Sequence, residues 1–120
     1  MHKLVILIEG LSEDNAFDEL WPQFLHLAEH MPGLLREAAC HVEHNLYGSS
    51  QPLLIHELYF ESVEAIQAAM RSPEGRVAGE LLQRMTNGQM SLLIAAHLED
   101  DPENIRKHWV EPYPREEKGA

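Results

Sequence analysis

The segment from residue 57 to residue 76 carries the pattern that most constrains the fold. Residues 57–60 are typical of the end of a strand, and Ser62 is a suitable N-cap for a helical run over residues 63–70. Ser72 is a second N-cap, followed by Pro73 at the helical position where proline is favoured. This order, in a chain whose other strands are apolar on both faces, predicts a small sheet with helices on one face and a second subunit on the other.

The remaining elements follow from apolar periodicity and turn residues. Short apolar runs containing valine and isoleucine are typical of central strands. Ser12 is the expected N-cap of a first helix whose apolar stripe extends to Met31, and Pro22 should kink or delay that helix. The predicted strands span residues 4–8, 35–46, 53–60 and 90–98, and the predicted helices span residues 13–31, 63–70 and 73–85.

The resulting order βαββαβ is the split βαβ arrangement, an α+β fold with a four-stranded antiparallel sheet. Right-handed crossovers place the first and third strands at the centre and all helices on one face. The other face, with side chains such as Ile55 and Tyr59, would be a large exposed apolar patch in a monomer. We therefore expect a homodimer that packs sheet to sheet and buries about 2,000 Å² or more.

Composition excludes several classes of partner. The net charge of −11 disfavours nucleic acid and anionic membranes, because their phosphates would be repelled. No apolar run approaches the length needed to span a membrane, and none has the form of a signal peptide. Cys40 is the single cysteine, which agrees with a cytoplasmic location.

The chain divides into one folded domain and a polar tail. Residues 1–98 are expected to form the domain, and residues 99–120 are polar and contain several prolines. The tail should be partly ordered, where Ile105, Trp109 or Val110 can dock. Whether it closes a cavity or extends over the partner subunit stays open at this point.

The sequence resembles the EthD family of the dimeric α/β barrel superfamily over about residues 3–97. That resemblance implies a ferredoxin-like fold, a dimer with a barrel interior, and a link to the breakdown or modification of small organic molecules. Many relatives carry a histidine in the first helix where this chain has Phe24 or Leu25, and His26 is not equivalent to it, so a mechanism based on that histidine does not carry over. The matching residues are Lys3, Leu4, Val5, Phe17, Trp21, Pro32, Gly33, Leu34, Glu57, Leu58, Tyr59, Phe60, Ser62, Glu64, Ala65, Ser72, Pro73, Glu74 and Gly75.

Side-chain alternation along the predicted hairpin suggests a site on the bare face. Folding the hairpin about residues 48–50 brings Glu57 opposite His41. In that register one set of side chains faces the helices (Cys40, Val42, Leu58 and Phe60), and a polar set faces the barrel interior (His41, Glu43, Glu57 and Tyr59).

Three residues are the predicted catalytic set. His41 would act as base, Glu57 as its orienting carboxylate, with a pKa raised by burial, and Tyr59 as an oxyanion donor. Glu43, Ile55 and His97 are the predicted ligand-binding residues. The alternative is that His41 and Glu57 form only a cross-strand pair at a wet rim.

The other histidines give weaker signals, and the sequence contains no phosphate loop, no serine nucleophile elbow, no CxxC pair and no dinucleotide fingerprint. His26 and His30 have a chelating spacing but are expected on the solvent side of the first helix, and His41, His44 and His56 could at most hold a stray ion. We therefore expect no dedicated metal and no cofactor.

Three functions remain open. The first is cofactor-free proton transfer, isomerisation or oxygenation of a small apolar molecule, the second is binding without turnover, and the third is haem handling.

Overall fold

The computed structural model describes residues 1–13 and 16–107, and it confirms the α+β ferredoxin-like fold. The elements occur in the predicted order βαββαβ, followed by one short helix. They are β1 (His2–Ile8), α1 (Ala16–Glu29), β2 (Arg36–His41), β3 (Leu54–Phe60), α2 (Val63–Arg71), α3 (Pro73–Thr86), β4 (Met90–Ala96) and α4 (Pro102–Lys107).

The four strands form one antiparallel sheet in the order β2-β3-β1-β4, so the first and third strands are central, as predicted. At the middle of the sheet Val5 pairs with Glu57 on one side and with Leu93 on the other. Residues that pair directly point to the same face. These three therefore lie on the face away from the core, which we call the bare face.

The predicted caps of α2 and α3 are confirmed. The Oγ of Ser62 accepts a hydrogen bond from the backbone N–H of Ala65, and the Oγ of Ser72 accepts one from Gly75, each at 3.1 Å. Asn87 ends α3 in the left-handed conformation, with φ of 53°. These local signals fix where the second half of the chain turns.

The core lies between the sheet and the helices. Alternate residues of the two central strands point into it and are buried, and α1 and α3 cover them. α1 continues through Pro22 without ending there, since proline removes only one donor from the helix. The largest fully buried side chains are Phe24, Phe60, Ile6, Ile8, Leu58, Ile66, Met85 and Thr86.

The second strand is shorter than predicted. It ends at His41, and a loop over residues 42–53 replaces the rest of the predicted strand. The side-chain amide of Asn45 donates to the carbonyls of Gly48 and Ser50 and so holds this stretch as a local turn. Leu46 is 95% exposed, which agrees with a loop that has left the sheet.

Beyond β4 the chain enters the polar tail. Ile105 in α4 is half-buried, whereas Trp109 and Val110 lie outside the described residues, so their docking stays a prediction. A domain boundary at residue 98 stays a prediction. In the part of the chain that the structure describes, no helix has the length and apolar character to cross a bilayer.

Candidate functional site

The pairing of β2 with β3 differs from the predicted register. Glu57 pairs with Ala38, and His41 pairs with Leu54, so the strands are shifted by three residues. An odd shift moves every side chain of β2 to the opposite face. The prediction that Glu57 lies opposite His41 is wrong, because the loop after β2 begins at residue 42 and the hairpin therefore closes earlier than assumed.

The shift changes the faces of β2 but not those of β3. Cys40 pairs with Ile55 on the bare face, although it was predicted to face the helices, and His41 lies on the helix side as an exposed residue. Glu43 lies in the loop and is exposed, so its predicted place in the barrel interior is also wrong. Along β3 the prediction is confirmed, since its helix-facing residues are buried: Leu54, His56, Leu58 and Phe60.

Three of the predicted site residues come together at one end of the bare face. The hydroxyl of Tyr59 donates to Oε1 of Glu57 at 2.9 Å, and the rings of Tyr59 and His97 meet edge to face with centroids 4.8 Å apart. Lys3 pairs with Oε2 of Glu57 at 2.7 Å. Ile55 lies on the same face, two residues before Glu57 along β3.

Two further side chains cover this cluster. The Arg36 guanidinium lies 4.3 Å from the centroid of the Tyr59 ring and donates to Glu99 at 2.7 Å. Nε2 of His97 lies 2.6 Å from the same Glu99 oxygen. As a result Tyr59 is only 4% exposed although it lies on the bare face. We call these six residues the bare-face group: Lys3, Arg36, Glu57, Tyr59, His97 and Glu99.

The electrostatics of the bare-face group favour ionised, mutually satisfied partners. Burial raises the pKa of the Glu57 carboxyl, but the hydrogen bonds from Lys3 and Tyr59, with the nearby charges of Lys3 and His97, outweigh it, so the pKa lies below the ordinary value. The predicted raised pKa is therefore wrong. Burial and the hydrogen bond to Glu57 raise the pKa of the Tyr59 hydroxyl. A low-pKa carboxylate is a weak base, and this hydroxyl already has an acceptor.

A histidine–carboxylate pair of the expected kind does exist, but on the other face of the sheet. Nε2 of His56 lies 2.9 Å from Oε2 of Glu37. A carboxylate can only accept, so Nε2 carries the proton and Nδ1 of the neutral ring keeps its lone pair. Nδ1 is buried and has no hydrogen-bond partner among the described residues. This arrangement holds the ring in one tautomer with a base-competent nitrogen inside the protein.

Aromatic side chains of α1 enclose His56. The ring centroids of Trp21 and Phe24 lie 5.3 and 6.0 Å from that of His56, both edge to face. Phe24 also lines a cavity of about 30 Å³ between the sheet and the helices. The other residues around the cavity are apolar or glycine, among them Ile6 and Leu58. His56 and Glu37 do not line this cavity, and Phe24 is the residue that borders both the cavity and the His56 ring.

Sequence reasoning assigned no role to this pair. The alternation along β3 already placed His56 at a helix-facing position, and a histidine among core residues of a central strand is the signal that could have identified it. Glu37 could not be identified in the same way, because its partner depends on the register of β2. The suggestion that His56 joins other histidines at an ion site fails, since His56 is buried while His41 and His44 are exposed.

The chain is similar to a crystal structure of an ethyl tert-butyl ether degradation (EthD) family protein from Bacillus halodurans. The two are 28% identical, and the match covers 82% of this chain and 99% of the other, with a TM-score of 0.71. The resemblance to the EthD family is confirmed. No protein-family model matches the sequence, and no curated protein matches it either.

Two more distant structures share this EthD-like fold. A dimeric ferredoxin-like protein of unknown function from Jannaschia is 20% identical, covering 80% of this chain and 98% of the other, with a TM-score of 0.64. A cofactor-independent oxygenase from Streptomyces nogalater is 10% identical, covering 84% and 96%, with a TM-score of 0.63. At these identities the two likenesses show the fold alone.

Proposed function

We propose that this chain binds a small, largely apolar organic molecule between its sheet and its helices, and that His56 moves a proton to or from it without a cofactor. The observation that carries the proposal is the pairing of His56 with Glu37, which leaves Nδ1 buried and without a partner among the described residues. Small-molecule sites typically have mostly apolar walls with a small number of polar groups.

The roles within this site follow from the contacts. Glu37 accepts from Nε2 and holds the tautomer in which Nδ1 is the base. When Nδ1 takes a proton, the ring becomes an imidazolium whose charge Glu37 stabilises. The carbanion or enolate left on the ligand is the species from which isomerisation, or reaction with dioxygen, proceeds. The Streptomyces nogalater neighbour, a protein of the same fold, is a cofactor-independent oxygenase.

The cavity must enlarge to admit a ligand. Its volume of about 30 Å³ is close to the space of one water molecule. Met31 and Met70 lie in its wall, and methionine adapts to irregular spaces through three rotatable bonds. We therefore expect binding to displace these two side chains together with the Phe24 ring, which borders both the cavity and His56, rather than the sheet.

We also propose that the protein is a homodimer joined through the bare face. Leu93 is 50% exposed there, beside half-buried Val5 and Leu7 on β1. A second copy would cover these side chains and would also enclose the bare-face group. The dimeric protein from Jannaschia has the same fold.

A second function, binding without turnover, is favoured by the bare-face group. Glu57 and Tyr59 satisfy each other, and Lys3 completes the set, so no group there is left to act on a ligand. If the protein only binds its ligand, Glu57 and Tyr59 stabilise the sheet through their mutual hydrogen bond and have no catalytic role. In the part of the chain that the structure describes, His41 forms no hydrogen bond or ion pair with either residue.

A generic probe of proton abstraction separates the two functions. The Kemp substrate 5-nitrobenzisoxazole is planar and largely apolar, and removal of its ring proton opens the N–O bond to a coloured phenolate. We expect wild-type protein to accelerate this elimination, and His56→Gln to reduce the rate by about a hundredfold, the lower end for a positioned general base.

Two controls make the assay decisive. Glu37→Gln should also lower the rate while keeping the fold, which circular dichroism checks. His44→Gln changes an exposed loop histidine and should leave the rate unchanged. Equal rates for wild type and a folded His56→Gln protein, or a wild-type rate no higher than that of buffer, would reject the base and leave binding alone.

A further inference from the structure

A second cluster of histidine and carboxylate side chains lies at the carboxyl end of α1, away from the sites above. His26 and Glu29 lie in the last turn of α1, and His30 is the first residue after it, so the three have the i, i+3 and i+4 spacing of one helix side. One ligand atom from each of the three lies within 4.8 Å of the others. We propose that these three side chains bind a divalent transition-metal ion, with zinc as the occupant.

The distances are close to those of a metal centre. Nδ1 of His26 lies 3.5 Å from Oε1 of Glu29. The ring of His30 lies beside the same oxygen, with its protonated Nδ1 at 3.8 Å. Ligand bonds of about 2.0–2.1 Å in a tetrahedral site place neighbouring ligand atoms roughly 3.3 Å apart. Because the three side chains are exposed, they can rotate to bring Nδ1 of His26, a Glu29 oxygen and Nε2 of His30 to this spacing.

The hydrogen bonding of His30 prepares one nitrogen for a metal. Its Nδ1 lies 2.8 Å from the backbone carbonyl of His26, and a carbonyl can only accept. Nδ1 therefore carries the proton and Nε2 is left with its lone pair. Metal-ligating histidines commonly donate their other ring N–H to a backbone carbonyl in this way, which fixes the tautomer and the ring orientation.

The local field favours a cation. The carboxyl end of a helix carries partial negative charge from its free carbonyls, and the chain as a whole carries a net charge of −11. Among the described residues, the ion pairs of Glu29 are those with the two histidines, so no lysine or arginine already neutralises it.

The donor set selects the class of metal. Two imidazole nitrogens and one carboxylate oxygen suit zinc, copper or nickel, whereas magnesium and calcium prefer oxygen ligands throughout. Three protein ligands leave at least one position for water. The spacing His-x-x-Glu-His is also found in one class of zinc enzymes, where the glutamate is not a ligand. Here Glu29 lies near both rings and is the third ligand in our proposal.

Zinc binding to the intact chain tests the proposal directly. We expect equilibrium dialysis against micromolar zinc chloride to give one zinc ion per chain. His26→Gln and His30→Gln should each weaken binding by at least about tenfold, and Glu29→Gln should weaken it less. All three side chains are more than half exposed, so these variants should fold.

The matched control is His44→Gln, which removes another exposed histidine and should bind zinc like wild type. In NMR spectra, addition of zinc should shift the ring-proton signals of His26 and His30 away from their positions in the metal-free protein, which would support the assignment. The absence of zinc binding by wild type, or full binding by the double variant His26→Gln/His30→Gln, would overturn it. Neither result depends on the function proposed for His56.

Discussion

Nε2 of His56 lies 2.9 Å from Oε2 of Glu37, and this contact joins a buried ring to a partly exposed carboxylate. The His56 side chain is 3% exposed and that of Glu37 is 34% exposed, because β2 is an edge strand. The pair therefore links the interior between sheet and helices to solvent. In the proposed function, Glu37 would stabilise the imidazolium that forms when Nδ1 takes a proton.

Disrupting the bare face should produce monomers. Leu93→Lys places a positive charge in the proposed dimer interface. Burying an unpaired ammonium between two subunits would cost free energy and so oppose dimerisation. We expect light scattering after size exclusion to give the mass of a dimer for wild type and of a monomer for the variant.

The control for the dimer prediction is Leu46→Lys. Leu46 is 95% exposed in the loop after β2, so the same change of side chain there should leave the dimer intact. A monomeric wild-type protein, or a Leu93→Lys variant that remains dimeric, would contradict the proposed interface.

Stability should depend on pH through Glu57. Its pKa in the folded protein lies below the value of 4.5 expected for a free carboxyl. The group therefore adds stability that is complete above that value and is lost as the pH falls through the folded pKa. Urea unfolding of wild type should show the free energy of unfolding decreasing from about pH 6 toward about pH 3.

The variant Glu57→Gln removes this carboxyl. Its free energy of unfolding should fall by less than that of wild type over the same pH range, by up to about 1 kcal/mol, as for a partly buried ion pair. Glu103→Gln, on the exposed side of the short helix α4, should show the wild-type slope. An unchanged slope in Glu57→Gln would mean that its pairing with Lys3 does not stabilise the fold.

Two glycines of α3 should respond to alanine in opposite directions. A Cβ at Gly75 would overlap the carbonyl oxygen of Ala69 and lie 2.8 Å from Cα of Met70, where backbone atoms cannot move aside. A Cβ at Gly79 would meet no heavy atom within 4 Å. We expect Gly75→Ala to lower the free energy of unfolding by about 2 kcal/mol. Gly79→Ala should raise it by about 1 kcal/mol, because alanine favours a helix more than glycine does.

Thermal and urea unfolding of the two variants measure this difference. Both glycines lie in α3 and both are replaced by alanine, so helix propensity alone would raise the free energy of unfolding of both variants. Equal shifts in the same direction would show that α3 does not pack closely against the end of α2.

Local signals allowed much of the fold to be predicted from the sequence. Ser62 and Ser72 cap their helices where expected, and the alternation along β3 identified its buried side. The faces of β2 could not be predicted, because they depend on where the loop over residues 42–53 closes. A shift of three residues there reverses every side chain.

The candidate site was harder to predict, because its contacts and pKa shifts depend on residues that are far apart in the sequence. Glu57 owes its lowered pKa to Lys3 on a neighbouring strand as well as to Tyr59 nearby. The partner of His56 is a residue of the strand whose register was misassigned. The sequence predicted a contact between His41 and Glu57 on this hairpin, whereas the structure pairs His56 with Glu37 on the other face of the sheet.

The most direct test of the account is the tautomer of His56, measured by long-range proton–nitrogen correlation on histidine-labelled protein. We predict a ring protonated at Nε2 with an unprotonated Nδ1. We also expect a shift of the Nε2 signal in Glu37→Gln, because Nε2 then donates to an uncharged amide. A neutral ring protonated at Nδ1 would contradict the central claim, since the base nitrogen would then be the one facing Glu37.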